Sequence, residues 1–197
     1  MIKWTYVFIS EITDNEINYY FSLMSEEKKQ RILARKKCED KYRTIAGEML
    51  ARKMLSDYHN IPEDLIIFET GEYGKPFAIG CAEFNISHSD DIVVCCISEE
   101  PIGIDVERIK PFNLNIIKKV CTDNEIKYVL ENSKVDSLLC LNEKLIHRFY
   151  EVWTTKEAYF KCIGTGIQNF KSVSLERLNT KRQSYTVGEY LVTIVEE

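Results

Sequence analysis

Ile102-Gly103-Ile104-Asp105-Val106-Glu107 is the stretch on which the reading of this chain turns. It has the makings of an apolar strand that carries two acidic side chains two residues apart. Successive strand side chains point to opposite faces, so Asp105 and Glu107 project side by side. Two carboxylates held that close repel each other unless a cation or a proton lies between them. Hard divalent cations such as Mg2+ take oxygen ligands of this kind, often with phosphate oxygens completing the shell. Gly103, two residues before the pair, permits a close backbone approach. A solvated strand edge with an alternating pattern is the competing reading.

A second stretch, Trp153-Thr154-Thr155-Lys156-Glu157-Ala158-Tyr159-Phe160-Lys161, adds a third carboxylate and a lysine. Glu157 and Lys161 stand four apart and share a helix face, which elsewhere would be a surface ion pair. Trp153, Ala158, Phe160 and Ile163 mark this helix as buried. Glu157 then belongs at a core edge or cleft, where an unpaired carboxylate is costly. A metal or a bound polyphosphate would relieve that cost. Lys156 reads as a solvated charge.

Phe84-Asn85-Ile86-Ser87-His88-Ser89 is an apolar strand with a hydroxyl-rich, histidine-bearing end, either a capping turn or an anion site. Lys28, Arg31 and Arg43 form a basic set that is either a solvated helix face or a phosphate grip. Lys75 lies in the glycine-flanked loop Gly71-Glu72-Tyr73-Gly74-Lys75-Pro76. Neither G-x-x-x-x-G-K-[ST] nor a post-strand G-x-G-x-x-G occurs.

The bulk properties set the frame. A chain of 197 residues makes one large domain or two small ones, and 45% hydrophobic with 29% charged residues is ordinary for a soluble protein. A net charge of -5 argues against a general nucleic-acid binder. Seven cysteines without a C-x-x-C pair, and three histidines off zinc spacing, point away from zinc and towards a reducing compartment. The N-terminal segment is too short and polar for a signal peptide, and no apolar run nears the ~20 residues of a membrane helix. The expectation is a cytoplasmic protein.

The pattern along the chain predicts strands at 4–9, 65–69, 84–89, 92–98, 103–107, 172–178 and 190–195. Helices are predicted over 14–24, over 25–58 with a break near Cys38, and over 115–120, 123–130 and 145–163. Residues 131–136 read as a loop. Each half is helical in the middle with strands at its ends, and residues 40–45 and 147–152 are candidates for corresponding helices, with no residue-level repeat between them. The class is α+β or mixed α/β, with halves 1–101 and 102–197.

These pieces together resemble the 4′-phosphopantetheinyl transferases. Gly103-Ile104-Asp105 with Glu107, then Trp153 to Lys161 some fifty residues on, match the long, surfactin-synthetase-activating (Sfp-type) class and its W-[ST]-x-K-E-[AS]-x-x-K pattern. The loop 72–76, the strand 84–89 and Arg43-Thr44 fit the same class. The resemblance implies an α+β fold of two similar halves forming a pseudo-dimer, with coenzyme A in the cleft between them. It implies transfer of the phosphopantetheine arm of coenzyme A to a carrier-protein serine, with release of adenosine 3′,5′-bisphosphate. It assigns Mg2+ to Asp105, Glu107 and Glu157, and the pyrophosphate to Lys161. It gives phosphate contacts to Ser87 and His88, the 3′-phosphate to Lys28, Arg31 and Arg43, and the adenine pocket to Gly74 and Lys75. Glu157 would also take the serine proton, directly or through a metal-bound water. The carrier, an acyl or peptidyl carrier protein with an acidic surface, is expected near 113–130, and the enzyme is expected to be a monomer. Two departures stand out: Arg31 replaces a common lysine, and the short stretch after residue 175 leads one to expect a trimmed C-terminal strand pair. A metal-dependent nuclease or phosphohydrolase is the alternative activity.

Overall fold

The computed structural model describes residues 2–131, 143–166, 169–178 and 180–197. Its first half runs β1 (Lys3–Phe8), α1 (Asp14–Leu23), α2 (Glu26–Leu33), α3 (Cys38–His59), β2 (Phe68–Thr70), β3 (Pro76–Ala78), β4 (Glu83–Ser89) and β5 (Ile92–Ser98). The second runs β6 (Ile102–Arg108), α4 (Asn115–Val120), α5 (Asp123–Leu130), α6 (Glu143–Ile163), β7 (Lys181–Val187) and β8 (Tyr190–Glu196). Local chemistry explains several boundaries. Thr13 and Thr122 close capping boxes with Glu16 and Glu125, and Ser25 caps α2 by accepting from the Lys28 N–H. Helix α3 ends at Asn60 in the left-handed region.

Two antiparallel three-stranded sheets carry the fold, in the orders β1-β5-β4 and β6-β8-β7, beside a small β2–β3 hairpin. In both sheets the first strand of the half pairs with its last, and the last with its next-to-last. The long helices α3 and α6 each cover one sheet and contain the corresponding segments 40–45 and 147–152. This repeated order is the pseudo-dimer written in topology.

Strand parity assigns the faces. Ile92, Val94 and Cys96 of β5 meet Ile102, Ile104 and Val106 of β6 and Tyr190, Val192 and Ile194 of β8, so the sheets pack on each other through one apolar layer. The opposite face of β5, with Val93, Cys95 and Ile97, joins the core under α3. Both central strands are buried along their whole length. The opposite face of β6 carries Gly103, Asp105 and Glu107 towards α6. A Cβ on Gly103 would lie 2.0 Å from the Ala158 carbonyl oxygen and 2.5 Å from the Cys162 nitrogen. The α6 backbone therefore rests directly on β6.

The structure corrects three readings. Residues 172–178 are not a strand: Ser172 ends a 3-10 turn that begins at Phe170, and Leu175–Arg177 form another. Their apolar alternation imitates a strand, but the Leu175 N–H donates to Glu125 Oε1 (3.0 Å) and the Phe170 carbonyl accepts from Lys156 Nζ (2.9 Å), so the backbone is committed elsewhere. The strand is instead the exposed, polar β7, which shows little hydrophobic period and is held by pairing with β8. The β7–β8 pair is thus present, not trimmed. In the first half, 65–69 begins with a 3-10 turn at Glu63–Leu65, and only Phe68–Thr70 is strand. There Arg52 Nη1 takes the Glu63 and Ile66 carbonyls, each at 2.8 Å. The loop expected at 131–136 lies, apart from Glu131, outside the described residues.

Replacing Gly103 with alanine should force α6 off β6. The expected cost is about 3 kcal/mol or more, because backbone rather than a flexible side chain must yield. Urea unfolding of Gly103→Ala against the parent checks it, and an unchanged midpoint would contradict the packing.

Candidate active site at the seam between the halves

Helix α6 delivers the chemistry because the other residues of its motif serve as scaffold. Trp153 stacks against Phe170 with ring centroids 5.4 Å apart. Thr154 Oγ1 donates to the Tyr150 carbonyl (2.8 Å) and shares a hydrogen bond with Thr193 Oγ1 of β8 (2.7 Å). Ala158 is the small residue under which Gly103 fits. Lys156 is the clearest departure from the sequence reading. Far from solvated, it is 0% exposed, and its ammonium bonds Glu125 Oε2 (2.6 Å) and the Val120 and Phe170 carbonyls (both 2.9 Å). A buried ammonium survives only with its donors satisfied, and here all three are.

With the scaffold residues turned away, Glu157 and Lys161 face β6. Lys161 Nζ lies 2.7 Å from Asp105 Oδ1 and 2.8 Å from Ser87 Oγ, and the Ser87 hydroxyl itself donates to Asp105 Oδ1 (2.9 Å). Asp105 Oδ2 is buried with no hydrogen-bond partner. Glu107 Oε2 accepts from the Ser89 hydroxyl (2.9 Å). Burial and then the Asp105 charge raise the Glu107 pKa, against the Ser89 hydrogen bond and Lys161. Glu157 is buried, and desolvation followed by the Asp105 charge pushes its pKa up to about 7, against the pull of Lys161. One ammonium thus balances three mutually repelling carboxyls. Among the described residues no cluster of three or more Asp, Glu, His or Cys side chains is drawn into metal-holding geometry. The donor set is nonetheless made of hard carboxylate oxygens, and one of them is an orphan in a buried place, a fit for a divalent cation.

The other expected residues fall into two groups. Gly74 and Lys75 line, with Tyr73, Asn85, Phe160 and Lys161, a cavity of about 210 Å³ between the halves. Gly74 adopts φ +84°, a turn conformation that favours glycine. The Lys75 ammonium is committed to Glu83 Oε2 and the Ile102 carbonyl (both 3.3 Å) and to the Cys162 carbonyl at the end of α6 (3.4 Å). His88 keeps an open face to solvent, yet its pKa is lowered by desolvation, then by the charges of Arg43 and Lys161, with Arg35 adding to them. Arg43 is held by Asp40 (2.6 Å) and by the Asp90 carbonyl at the turn after β4 (2.7 Å). Lys28 pairs with buried Glu48 (2.6 Å) and Arg31 with Glu27 on the surface (3.5 Å), so no observed contact gathers these two with His88. Sequence reasoning passed over Arg35, whose signal was the basic run Arg35-Lys36-Lys37. It also passed over Asn85, which accepts the Ile104 N–H at 3.0 Å.

Residues 11–100 match a family model described as 4′-phosphopantetheinyl transferase, N-terminal, and residues 101–194 match the 4′-phosphopantetheinyl transferase superfamily. The 4′-phosphopantetheinyl transferase gsp of Aneurinibacillus migulanus is 40% identical over 168 residues, covering 85% of this chain and 68% of that protein. The transferase Sfp of Bacillus subtilis is 33% identical over 158 residues, covering 79% and 67%. The transferase psf-1 of Bacillus pumilus is 35% identical over 147 residues, covering 74% and 60%.

The raised Glu157 pKa has a consequence for stability. Between the ordinary carboxyl value of 4.5 and about 7, the folded state holds a proton on Glu157 that the unfolded state has released. Stability of the metal-free protein therefore falls as pH rises through that window, by about 3 kcal/mol in all. Urea unfolding should show a lower stability at pH 8 than at pH 5, and Glu157→Gln should flatten the difference by stabilising the protein at pH 8.

Proposed function

The chain belongs to the 4′-phosphopantetheinyl transferase family and moves the phosphopantetheine arm of coenzyme A to a carrier protein, and we propose that it does so at the cluster of Asp105, Glu107 and Glu157. The observation that carries this reading is the buried, unpartnered Asp105 Oδ2 beside two carboxyls whose pKa values are raised by burial and by the Asp105 charge. Asp105, Glu107 and Glu157 would hold Mg2+. When bound, Mg2+ supplies positive charge to the pyrophosphate of coenzyme A and offsets the charge that grows on the leaving phosphate.

The side chains around the cluster take the remaining tasks. Lys161 leaves Asp105 for the pyrophosphate, a short move for an ammonium at the helix end facing the cavity. Ser87 and His88 hold phosphate oxygens, and Arg43 and Lys161 lie close enough to His88 to add, after desolvation, to the lowering of its pKa. Arg43, with Lys28 and Arg31, grips the 3′-phosphate, for which Lys28 must release Glu48. Gly74 and Lys75 border the adenine in the cavity they share with Lys161. Glu157, as the carboxylate, takes the proton of the carrier serine. Serine then attacks the phosphorus next to the pantetheine, and adenosine 3′,5′-bisphosphate departs. An acidic acyl or peptidyl carrier protein fits against α4 and α5, where Lys118, Lys119 and Lys127 are exposed. The reading includes a cytoplasmic monomer. Its support is that all six described cysteines are free thiols and that no described helix is long and apolar enough to cross a membrane. The nuclease alternative has no support, since the matching family models and the relatives named above are transferases.

Incubation of the protein with coenzyme A, Mg2+ and a panel of apo carrier proteins should add the mass of the arm to at least one carrier by intact-mass spectrometry. Glu157→Gln should nearly abolish that transfer with its circular dichroism unchanged. Unmodified carriers across fatty-acid, polyketide and peptide-synthetase types would overturn the reading. Because Lys161 occupies Asp105 in the free protein, Lys161→Met should bind Mn2+ severalfold more tightly than the parent without coenzyme A, read by electron paramagnetic resonance.

A further inference from the structure

Strand β6 pairs with β8 along one edge, and among the described residues no strand pairs along the other. An unpaired buried edge leaves backbone groups to be satisfied by other means. Here β4 supplies them with side chains instead of a ladder. Asn85 Oδ1 accepts the Ile104 N–H (3.0 Å), and Ser89 Oγ accepts the Arg108 N–H (3.2 Å). Between these two, Ser87 donates to Asp105. The period of β4 therefore matches the period of β6, residue for residue, along the seam of the two halves.

Ser89 does more than close the edge. Its oxygen is engaged by the Arg108 N–H, and its hydroxyl proton goes to Glu107 Oε2 at 2.9 Å. A hydroxyl has one proton to give, so this geometry commits it to the carboxylate. Ser87 and Ser89 stand two apart and meet two carboxylates that also stand two apart. Each serine holds one oxygen of its carboxylate, and at Asp105 the other oxygen is left without a partner. We infer that Ser89 is a positioning residue that orients Glu107 towards the divalent-cation site. This rests on the reading of Asp105, Glu107 and Glu157 as that site.

The test is Mn2+ affinity in the presence of coenzyme A, read by electron paramagnetic resonance of the free ion. Ser89→Ala should weaken binding about tenfold, the usual scale for losing a hydrogen bond to a metal ligand. Ser89→Val should do the same, while Ser89→Thr, isosteric with the Val variant but keeping the hydroxyl, should bind as the parent does. A serine that only closes the strand edge would lower the melting temperature and leave Mn2+ affinity alone. Parent-like affinity in the Ala and Val variants therefore overturns the inference, as does equal weakening in the Thr and Val variants. If Asp105→Asn binds Mn2+ as tightly as the parent does, the cation site itself is refuted and the role of Ser89 falls with it. That outcome is told apart from the others by the Asp105 variant alone.

Discussion

The site depends on the direct contact of the α6 backbone with β6 at Gly103. No side chain separates the two, and none larger than hydrogen fits. That contact sets the height of α6 above the strand. It brings Lys161 to within 2.7 Å of Asp105 and puts Glu157 in the field of both strand carboxylates. A helix one methyl group farther out would still be amphipathic and buried, but its carboxylate and ammonium would no longer share a site with the acids of the strand.

The register of α6 on β6 is held from above by a buried ion pair, Lys156 with Glu125, rather than by apolar packing alone. Lys156 ties α6 to α5, to the end of α4 and to the segment after α6 through Glu125 and two carbonyls. The first half has a counterpart on α3, where Arg52 bonds Glu48 Oε1 through Nε and Nη2 at 2.9 and 2.7 Å and also takes loop carbonyls. Both pairs are dehydrated, so each would be costly if a partner were lost. Each also gathers irregular backbone that has no ladder of its own. The motif on α6 is therefore part chemistry and part framework, Glu157 and Lys161 belonging to the first and Trp153, Thr154, Lys156 and Ala158 to the second.

Much of this was legible in the chain. The period of β6 put Asp105 and Glu107 on one face, and the four-residue spacing put Glu157 and Lys161 on another. The resemblance carried by these residues named the family that the comparisons then showed. Lys156 was misread because its surroundings come from Glu125 and Phe170, distant in sequence, and a lysine in isolation is most often solvated. The segment 172–178 was misread for the same kind of reason. Its apolar alternation is real, but Glu125 claims the Leu175 N–H from outside, and Lys156 holds the Phe170 carbonyl just before the segment. Strand β7 was missed because an exposed edge strand needs no apolar face, only a neighbour with free backbone groups.

By itself the sequence determined which residues carry oxygen, ammonium and hydroxyl, and on which face of which strand or helix they lie, because those faces follow from periods of 2 and 3.6 residues. Only the tertiary structure decided which of these faces meet. It placed Ser87 and Ser89 against Asp105 and Glu107, moved Lys156 from the surface to the core, and left Asp105 Oδ2 without a partner. The physical reason is that the packing of two sheets across a seam is settled by steric fit and by the satisfaction of backbone groups, and both are properties of pairs of segments far apart in the chain.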